Sequence, residues 1–124
     1  MSEPSVLHVD EIEGGGGVFK PVGRTLGVTA FGVNLEQFPQ GHEQYPDHDH
    51  SGDGQEEVYY VISGRLQFKL EDEIVEVEGP ACVRVGREVN RSVWNDEPGD
   101  AQLLIVSTRI EGEDAVVVED FWPE

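Results

Sequence analysis

Two histidines and one glutamate, close together in sequence, are the residues whose types and spacing could bind a metal. His48 and His50 are separated by one residue, so on an extended strand their side chains point to the same face. Glu57 follows a polar, glycine-containing loop and opens an apolar run at residues 58–62, which a Ser-Gly turn at 63–64 closes. Two imidazoles and a carboxylate form the triad that binds divalent metals in many enzymes. The segment therefore predicts a metal site built on a hairpin.

This segment resembles the first motif of the cupins, which reads His-x-His, a short gap, Glu, six residues and Gly. His48, His50, Glu57 and Gly64 match it, although the gap before Glu57 is longer than the family's usual one. The resemblance extends over about residues 27–108. The sequence of this stretch looks like that of a subgroup of small single-domain cupins of undefined function. It implies a jelly-roll barrel with a metal bound inside.

The family's second motif carries a histidine that acts as the fourth metal ligand, and here the chain departs from the pattern. Anchoring the motif on either Asn95 or Val85 places Arg91 where the histidine belongs. Arginine stays charged and cannot bind a cation as a ligand. Inside the barrel, Arg91 would repel a metal and offer Glu57 a bidentate ion pair, and it would also suit an anionic ligand. A solvent-facing arginine on an edge strand is the alternative, and the double anchoring favours the inward position.

Tyr59 is a second candidate for ligand binding. It lies two residues after Glu57, so both side chains should face the interior of the barrel. Its hydroxyl could bind a ligand, with a plain core tyrosine as the alternative. For His48 and His50 the alternative is a surface loop, because aspartates flank them.

Short strands separated by turn signals predict an all-β fold for the rest of the chain. Residues 65–78 alternate polar and apolar around a turn, as a hairpin should, and residues 102–108 are almost entirely apolar. No stretch before Glu111 shows helical periodicity. With the motif, this pattern indicates a cupin jelly-roll barrel. The expected organisation is an N-terminal arm with a glycine hinge at residues 1–17, a barrel at 18–110 and an apolar tail at 111–124 that packs on the barrel or on a partner.

The charge balance is strongly acidic. Of 124 residues, 26 are Asp or Glu and 8 are Lys or Arg, which gives a net charge of −18. Nucleic acid and anionic membranes are excluded as expected partners, because both need a basic face. A dispersed acidic surface suits concentrated salt, where repulsion is screened, so a halophilic source is expected. The N-terminus has no apolar signal core, and no segment is long enough to span a membrane, which indicates a cytoplasmic protein.

Three smaller features complete the expectations. Cys82, the single cysteine, lies in a strand-like run and is expected to be a small buried hydrophobe, with no intrachain disulfide. Residues 6–9 could form an edge strand, and Pro21 should keep residues 18–22 extended. A small barrel cannot bury the apolar termini at 6–12 and 115–122, which predicts a homodimer with one of them at the interface.

Three functions remain open at this point. The first is a binding module for a small, in particular anionic, organic ligand, with at most one divalent metal (Zn, Ni, Mn or Fe) that is weakly bound or absent. The second is a metal-dependent isomerase or oxygenase using the triad. The third is a structural or regulatory dimer without a ligand. The missing fourth histidine favours the first, since the fold alone decides nothing.

Overall fold

Two antiparallel sheets form the molecule. The computed structural model describes residues 4–12, 19–39, 48–49, 56–86, 88–95, 99–108 and 116–117, with the backbone alone described at 48–49 and 116–117. The elements are a short 3-10 helix (Val9–Glu11), β1 (Phe19–Lys20), α1 (Val22–Leu26), β2 (Phe31–Phe38), β3 (His48–Asp49), β4 (Glu57–Ser63), β5 (Arg65–Leu70), β6 (Glu73–Glu78), β7 (Ala81–Val85), β8 (Arg91–Trp94), β9 (Ala101–Thr108) and β10 (Val116–Val117).

The strands are ordered so that elements distant in sequence become neighbours. Within the described residues, sheet A has the order β1-β2-β9-β4-β7, and sheet B has the order β10-β3-β8-β5-β6. Every pairing is antiparallel. The fold is a jelly-roll barrel, which confirms the fold class expected from the short strands and turns.

Alternation along the strands places one row of side chains from each sheet in a common core. Tyr59 and Val61 on β4 have no exposed surface, and neither do Leu66 and Phe68 on β5. The rings of Tyr59 and Phe68 meet edge to face, with centroids 5.6 Å apart and planes at 85°. Such pairs add about 0.5–1.5 kcal/mol beyond the burial of their area. Tyr59 therefore packs in the core between its own sheet and Phe68 of the facing sheet.

A five-residue helix, α1, lies where the sequence predicts no helix. Pro21 takes the N-cap position, just before the first turn, where a missing N–H costs nothing. Gly27 ends the helix with a φ of 82°. Gly23 lies so close to β2 that a Cβ there would come within 3.2 Å of Val33 Cγ1. The expectation that Pro21 excludes a helix was wrong, because proline excludes helix only on its N-terminal side.

The N-terminal arm also differs from expectation. Val9–Glu11 forms a single 3-10 turn, and the described residues before it are in no strand. Among residues 4–12, Ile12 is the one buried side chain, at 4% exposure, and its carbonyl accepts a hydrogen bond from Lys20 Nζ at 3.4 Å. The edge strand suggested for residues 6–9 is wrong. A turn suffices to bury one apolar side chain and needs no neighbouring strand.

Cys82 is exposed, which corrects the expectation that it is buried. On β7, Val85 is buried and Val83 packs against the core, so Cys82 and Arg84 alternate to the outer face. A small apolar residue type does not by itself reveal which face of a strand it occupies.

Part of the C-terminal tail joins the barrel as a strand. In β10, Val116 pairs with Asp49 and Val117 pairs with His48. The glycine run at 14–17 and the rest of the tail lie outside the described residues. No helix in the described part of the chain has the length and hydropathy needed to cross a membrane.

Candidate functional site

A buried ion pair joins the two sheets inside the barrel. Arg91, the first residue of β8, has no exposed surface, and Glu57, the first residue of β4, is 8% exposed. Arg91 Nη1 donates to Glu57 Oε1 at 2.8 Å. A buried guanidinium costs several kcal/mol unless it is paired and hydrogen-bonded. The inward position expected for Arg91 is therefore the one observed, and its charge is balanced by Glu57.

The loop before β8 holds the other edges of the guanidinium. Arg91 Nε donates to the carbonyl of Val89 at 2.8 Å, and Nη2 donates to the carbonyl of Gly86. The loop itself closes through a bond from the Val89 N–H to the Gly86 carbonyl at 3.2 Å. Each nitrogen of the guanidinium thus has an acceptor, so the orientation of Arg91 is fixed in three directions.

The turn between β5 and β6 anchors that loop. Glu71 Oε1 accepts from the backbone N–H of Asn90 at 2.8 Å, and Oε2 accepts from Asn90 Nδ2 at 3.3 Å. The Glu71 N–H donates back to the Asn90 carbonyl at 2.9 Å. Lys69 Nζ donates to the Glu71 carbonyl. Since Asn90 precedes Arg91, these bonds position the arginine from outside the barrel.

Tyr59 also contacts Glu57. Its hydroxyl donates to Glu57 Oε1 at 2.7 Å, the same oxygen that accepts from Arg91. Burial raises the pKa of Tyr59 well above 10.0, and the negative charge of Glu57 and the hydrogen bond to it add to the increase, while Arg91 opposes it. At neutral pH Tyr59 is therefore protonated, and its hydroxyl donates to the carboxylate of Glu57.

Small residues lie beside Glu57 on the inner face of sheet A. Glu57 is opposite Ser107 on β9, and Ser107 is opposite Gly32 on β2. A Cβ at Gly32 would come within 2.6 Å of Ser107 Oγ. Glycine at position 32 therefore leaves room for the hydroxyl of Ser107, the residue opposite Glu57 in the ladder.

Glu36 is an interior carboxylate that sequence reasoning missed. It lies on β2 at 5% exposure, two residues before the fully buried Phe38 and so on the same face. Its negative charge contributes to the raised pKa of Tyr59. The signal was present in the sequence, because Glu36 is the one acidic residue within the apolar strand that ends at Phe38.

The predicted metal triad is described in part. The register places His48 directly opposite Arg91 in the ladder between β3 and β8. The side chain of His48 and all of His50 lie outside the described residues, so their role as ligands stays a prediction. Among the described side chains, no group of three or more His, Cys, Asp or Glu could hold a metal ion. Glu57 is paired with the guanidinium of Arg91, which has no lone pair to offer a metal.

Comparison with known proteins gives a family match. The family model described as "Cupin domain" matches residues 34–107, which include Glu57, Tyr59 and Arg91. Comparison with the curated proteins gives no match.

Three solved structures illustrate the similarity of fold. A cupin protein from Bacteroides fragilis is 16% identical with a TM-score of 0.74, and the match covers 100% of this chain and 99% of that one. A polyketide cyclase from Streptomyces resistomycificus is 13% identical with a TM-score of 0.73, covering 96% and 89%. A cupin described as a sugar phosphate isomerase, from Silicibacter pomeroyi, is 23% identical with a TM-score of 0.72, covering 82% of this chain. The present chain spans 64% of the length of that isomerase.

Proposed function

Because this chain belongs to the cupin family, we propose that it binds a small, in particular anionic, organic ligand in a barrel whose metal position is occupied by the Glu57–Arg91 ion pair. One observation carries the proposal. Arg91 Nη1 lies 2.8 Å from Glu57 Oε1, with no exposed surface on the arginine. The sequence motif aligns this arginine with the family's fourth metal ligand.

The ion pair argues against a tightly bound metal. A cation at this position would have to displace Arg91 from the Glu57 carboxylate. The buried guanidinium would then lose its counter-charge. Removing one partner of a buried pair costs about 3–5 kcal/mol. Repulsion between Arg91 and the cation would add to that cost, so any metal should bind weakly.

The same guanidinium supports the preference for an anion. Its Nε, Nη1 and Nη2 atoms each use one N–H on a protein acceptor, and a guanidinium has further N–H groups to donate. A ligand carboxylate or phosphate could accept them in the bidentate geometry that arginine favours. Because Arg91 is fully buried, binding must be accompanied by movement of a neighbouring side chain.

The alternative proposal is a metal-dependent isomerase or oxygenase that uses His48, His50 and Glu57 as a triad. It keeps the metal chemistry of the family and requires Arg91 to release Glu57. The similar structure described as a sugar phosphate isomerase would agree with it, although a likeness at 23% identity shows the fold alone.

Thermal shift and calorimetry on protein stripped of metal by a chelator would test the proposal. The probes are inorganic phosphate, small mono- and dicarboxylates, neutral polyols and the divalent ions of zinc, nickel and manganese. A ligand present at about a hundred times its Kd stabilises the folded state by about 2.7 kcal/mol. We expect at least one anionic probe to raise Tm in the presence of chelator, and the divalent ions to bind weakly.

Arg91→Met is the variant for this experiment, and Arg65→Met is its matched control. Arg65 also pairs with a carboxylate, Glu78, but its side chain is 40% exposed. The anion effect should be lost in Arg91→Met and kept in Arg65→Met. Tight binding of one metal per chain by the wild type, with no response to any anion, would favour the triad enzyme instead.

A further inference from the structure

Two polar side chains lie near the ion pair on the inner face of sheet A. Ser107 on β9 is directly opposite Glu57 on β4, and opposed Cβ atoms in an antiparallel ladder are about 4.5–5.5 Å apart. Asn34 on β2 is opposite Ile105, so it is a diagonal neighbour of Ser107 on the same face. We call Ser107 and Asn34 the polar pair.

The polar pair is half-buried, although its neighbours on the inner face are buried. Tyr59 has no exposed surface and Ile105 is 6% exposed, whereas Ser107 and Asn34 keep contact with solvent. Side chains on the inner face of a barrel reach solvent only where the barrel is open. The barrel is therefore open to solvent at the end of sheet A where Glu57 lies.

The polar pair is not used by the fold. No hydrogen bond joins either of its side chains to another group in the described part of the chain. A Cβ at Gly32 would come within 2.6 Å of Ser107 Oγ, so the hydroxyl lies over a glycine, which has no side chain to bond it. Polar groups that the protein leaves without a partner bind water or a ligand.

We propose that the polar pair binds hydroxyl groups of the ligand, which is a hydroxy acid. The inference rests on the proposed function, in which Arg91 binds the anionic group. The Ser107 hydroxyl and the Asn34 carboxamide each both donate and accept hydrogen bonds. A ligand hydroxyl does the same and matches either side chain completely, whereas a carboxylate only accepts and leaves their acceptor atoms unpaired.

The position of Ser107 favours a hydroxyl close to the anionic group. Ser107 is opposite Glu57, and Glu57 contacts the Arg91 guanidinium at 2.8 Å. A ligand that reaches both Ser107 and Arg91 must therefore carry its hydroxyl near its charge. In a 2-hydroxy acid the hydroxyl is on the carbon next to the carboxyl group. In a phosphate ester of a polyol the nearest hydroxyl is further from the charge, so the geometry favours the hydroxy acid.

Propionate, lactate and glycerate test the inference on the wild type. They have the same carbon number and the same charge, and they carry no, one and two hydroxyl groups. Ligand-observed NMR titration of metal-stripped protein in the presence of chelator gives the Kd of each. A site built to bond a hydroxyl rejects the analogue that lacks it, so we expect glycerate to bind more than about tenfold more tightly than propionate, with lactate between them. Glycerol, which has hydroxyls but no charge, should bind more weakly than lactate.

Matched variants assign the preference to the polar pair. Ser107→Ala should abolish the preference for lactate over propionate and leave the Kd of propionate unchanged. Thr108→Ala, which removes an exposed hydroxyl at the next position, should behave as the wild type. Asn34→Ala should abolish the further preference for glycerate over lactate, and Gln37→Ala on the outer face of β2 is its control.

Gly32→Ala tests the same hydroxyl without removing it. The added Cβ would displace Ser107 Oγ, so this variant should also lose the preference for lactate over propionate.

The outcomes separate this inference from anion binding itself. Equal Kd values of the three acids for the wild type, all weakened in Arg91→Met, overturn the inference and leave the anion site intact. A preference for hydroxylated acids that neither Ser107→Ala nor Asn34→Ala alters also overturns it. Failure of all three acids to bind the wild type overturns the inference together with the anion site on which it rests.

Discussion

Arg91 and Glu57 are 34 residues apart in sequence and form a 2.8 Å contact that ties sheet B to sheet A. A second tie runs from Asn95, just after β8, whose Nδ2 donates to the Phe38 carbonyl at the end of β2 at 3.2 Å. Polar contacts therefore connect the two sheets at both ends of β8.

Breaking the ion pair should destabilise the fold strongly. Arg91→Met removes the guanidinium that pairs with the buried carboxylate of Glu57, so we expect the free energy of unfolding to fall by about 3–5 kcal/mol. Arg65→Met, which removes an exposed partner of Glu78, should cost less than about 1 kcal/mol. Urea unfolding of both variants measures the difference. The double variant Glu57→Gln with Arg91→Met should lose less than the sum of the single changes, and strict additivity would contradict the coupling.

Restoring the family's histidine should create a metal site. Arg91→His removes the repelling charge, supplies an imidazole at the position opposite His48, and frees Glu57. Divalent zinc, nickel or manganese should bind more than about tenfold more tightly, which requires about 1.4 kcal/mol. Calorimetric titration into metal-stripped protein is the measurement, with Arg65→His as the control for an added surface imidazole. Tight metal binding by the wild type that Arg91→His leaves unchanged would show that Arg91 does not occupy the fourth position.

Alkaline pH should destabilise the protein through Tyr59. In the unfolded chain a tyrosine ionises near pH 10, whereas burial and Glu57 raise the pKa of Tyr59 in the folded state. Above about pH 10 ionisation favours the unfolded state, so stability falls as pH rises, by about 1.4 kcal/mol per pH unit for this one group. Below that pH the contribution is complete and flat.

Tyr59→Phe should lack this loss and show a shallower decline in the free energy of unfolding above pH 10. Tyr60→Phe, on the outer face next in sequence, is the matched control and should keep the wild-type slope. The measurement is urea unfolding at a series of alkaline pH values. Equal slopes for Tyr59→Phe and the wild type would show that Glu57 and burial do not hold the Tyr59 proton.

Salt should stabilise the folded protein. Repulsion among the 26 acidic residues is screened as the Debye length falls from about 10 Å in 0.1 M salt to about 3 Å in 1 M salt. Thermal melts in increasing sodium chloride should show a rising midpoint. A flat or falling midpoint would show that acidic repulsion does not limit stability.

The sequence predicted most strands because alternation is a local signal. The hairpin of β5 and β6 was predicted from the alternation of polar and apolar residues along both strands. Helix α1 was not predicted, because five residues are too few to show a helical period. The exposure of Cys82 could have been read from Arg84 two residues later, which shares its face.

For the site, the motif positions predicted that Glu57 and Arg91 meet, and the structure shows the contact. The carbonyls of Gly86 and Val89 that hold the guanidinium could not be predicted, because the direction of a backbone carbonyl depends on loop dihedrals that residue types do not specify. Glu36 was missed because no motif position marks it, although it lies within an apolar strand.

The order of strands in sheet A has a consequence for synthesis on the ribosome. Strand β9 lies between β2 and β4 and pairs with both, yet its residues 101–108 leave the ribosome long after those two strands. Until then, β2 and β4 each present an edge that only β9 can complete, and unpaired edges invite aggregation. Nascent chains that end before Ala101 should therefore remain dependent on chaperones, however complete the hairpin of β5 and β6 is by that stage.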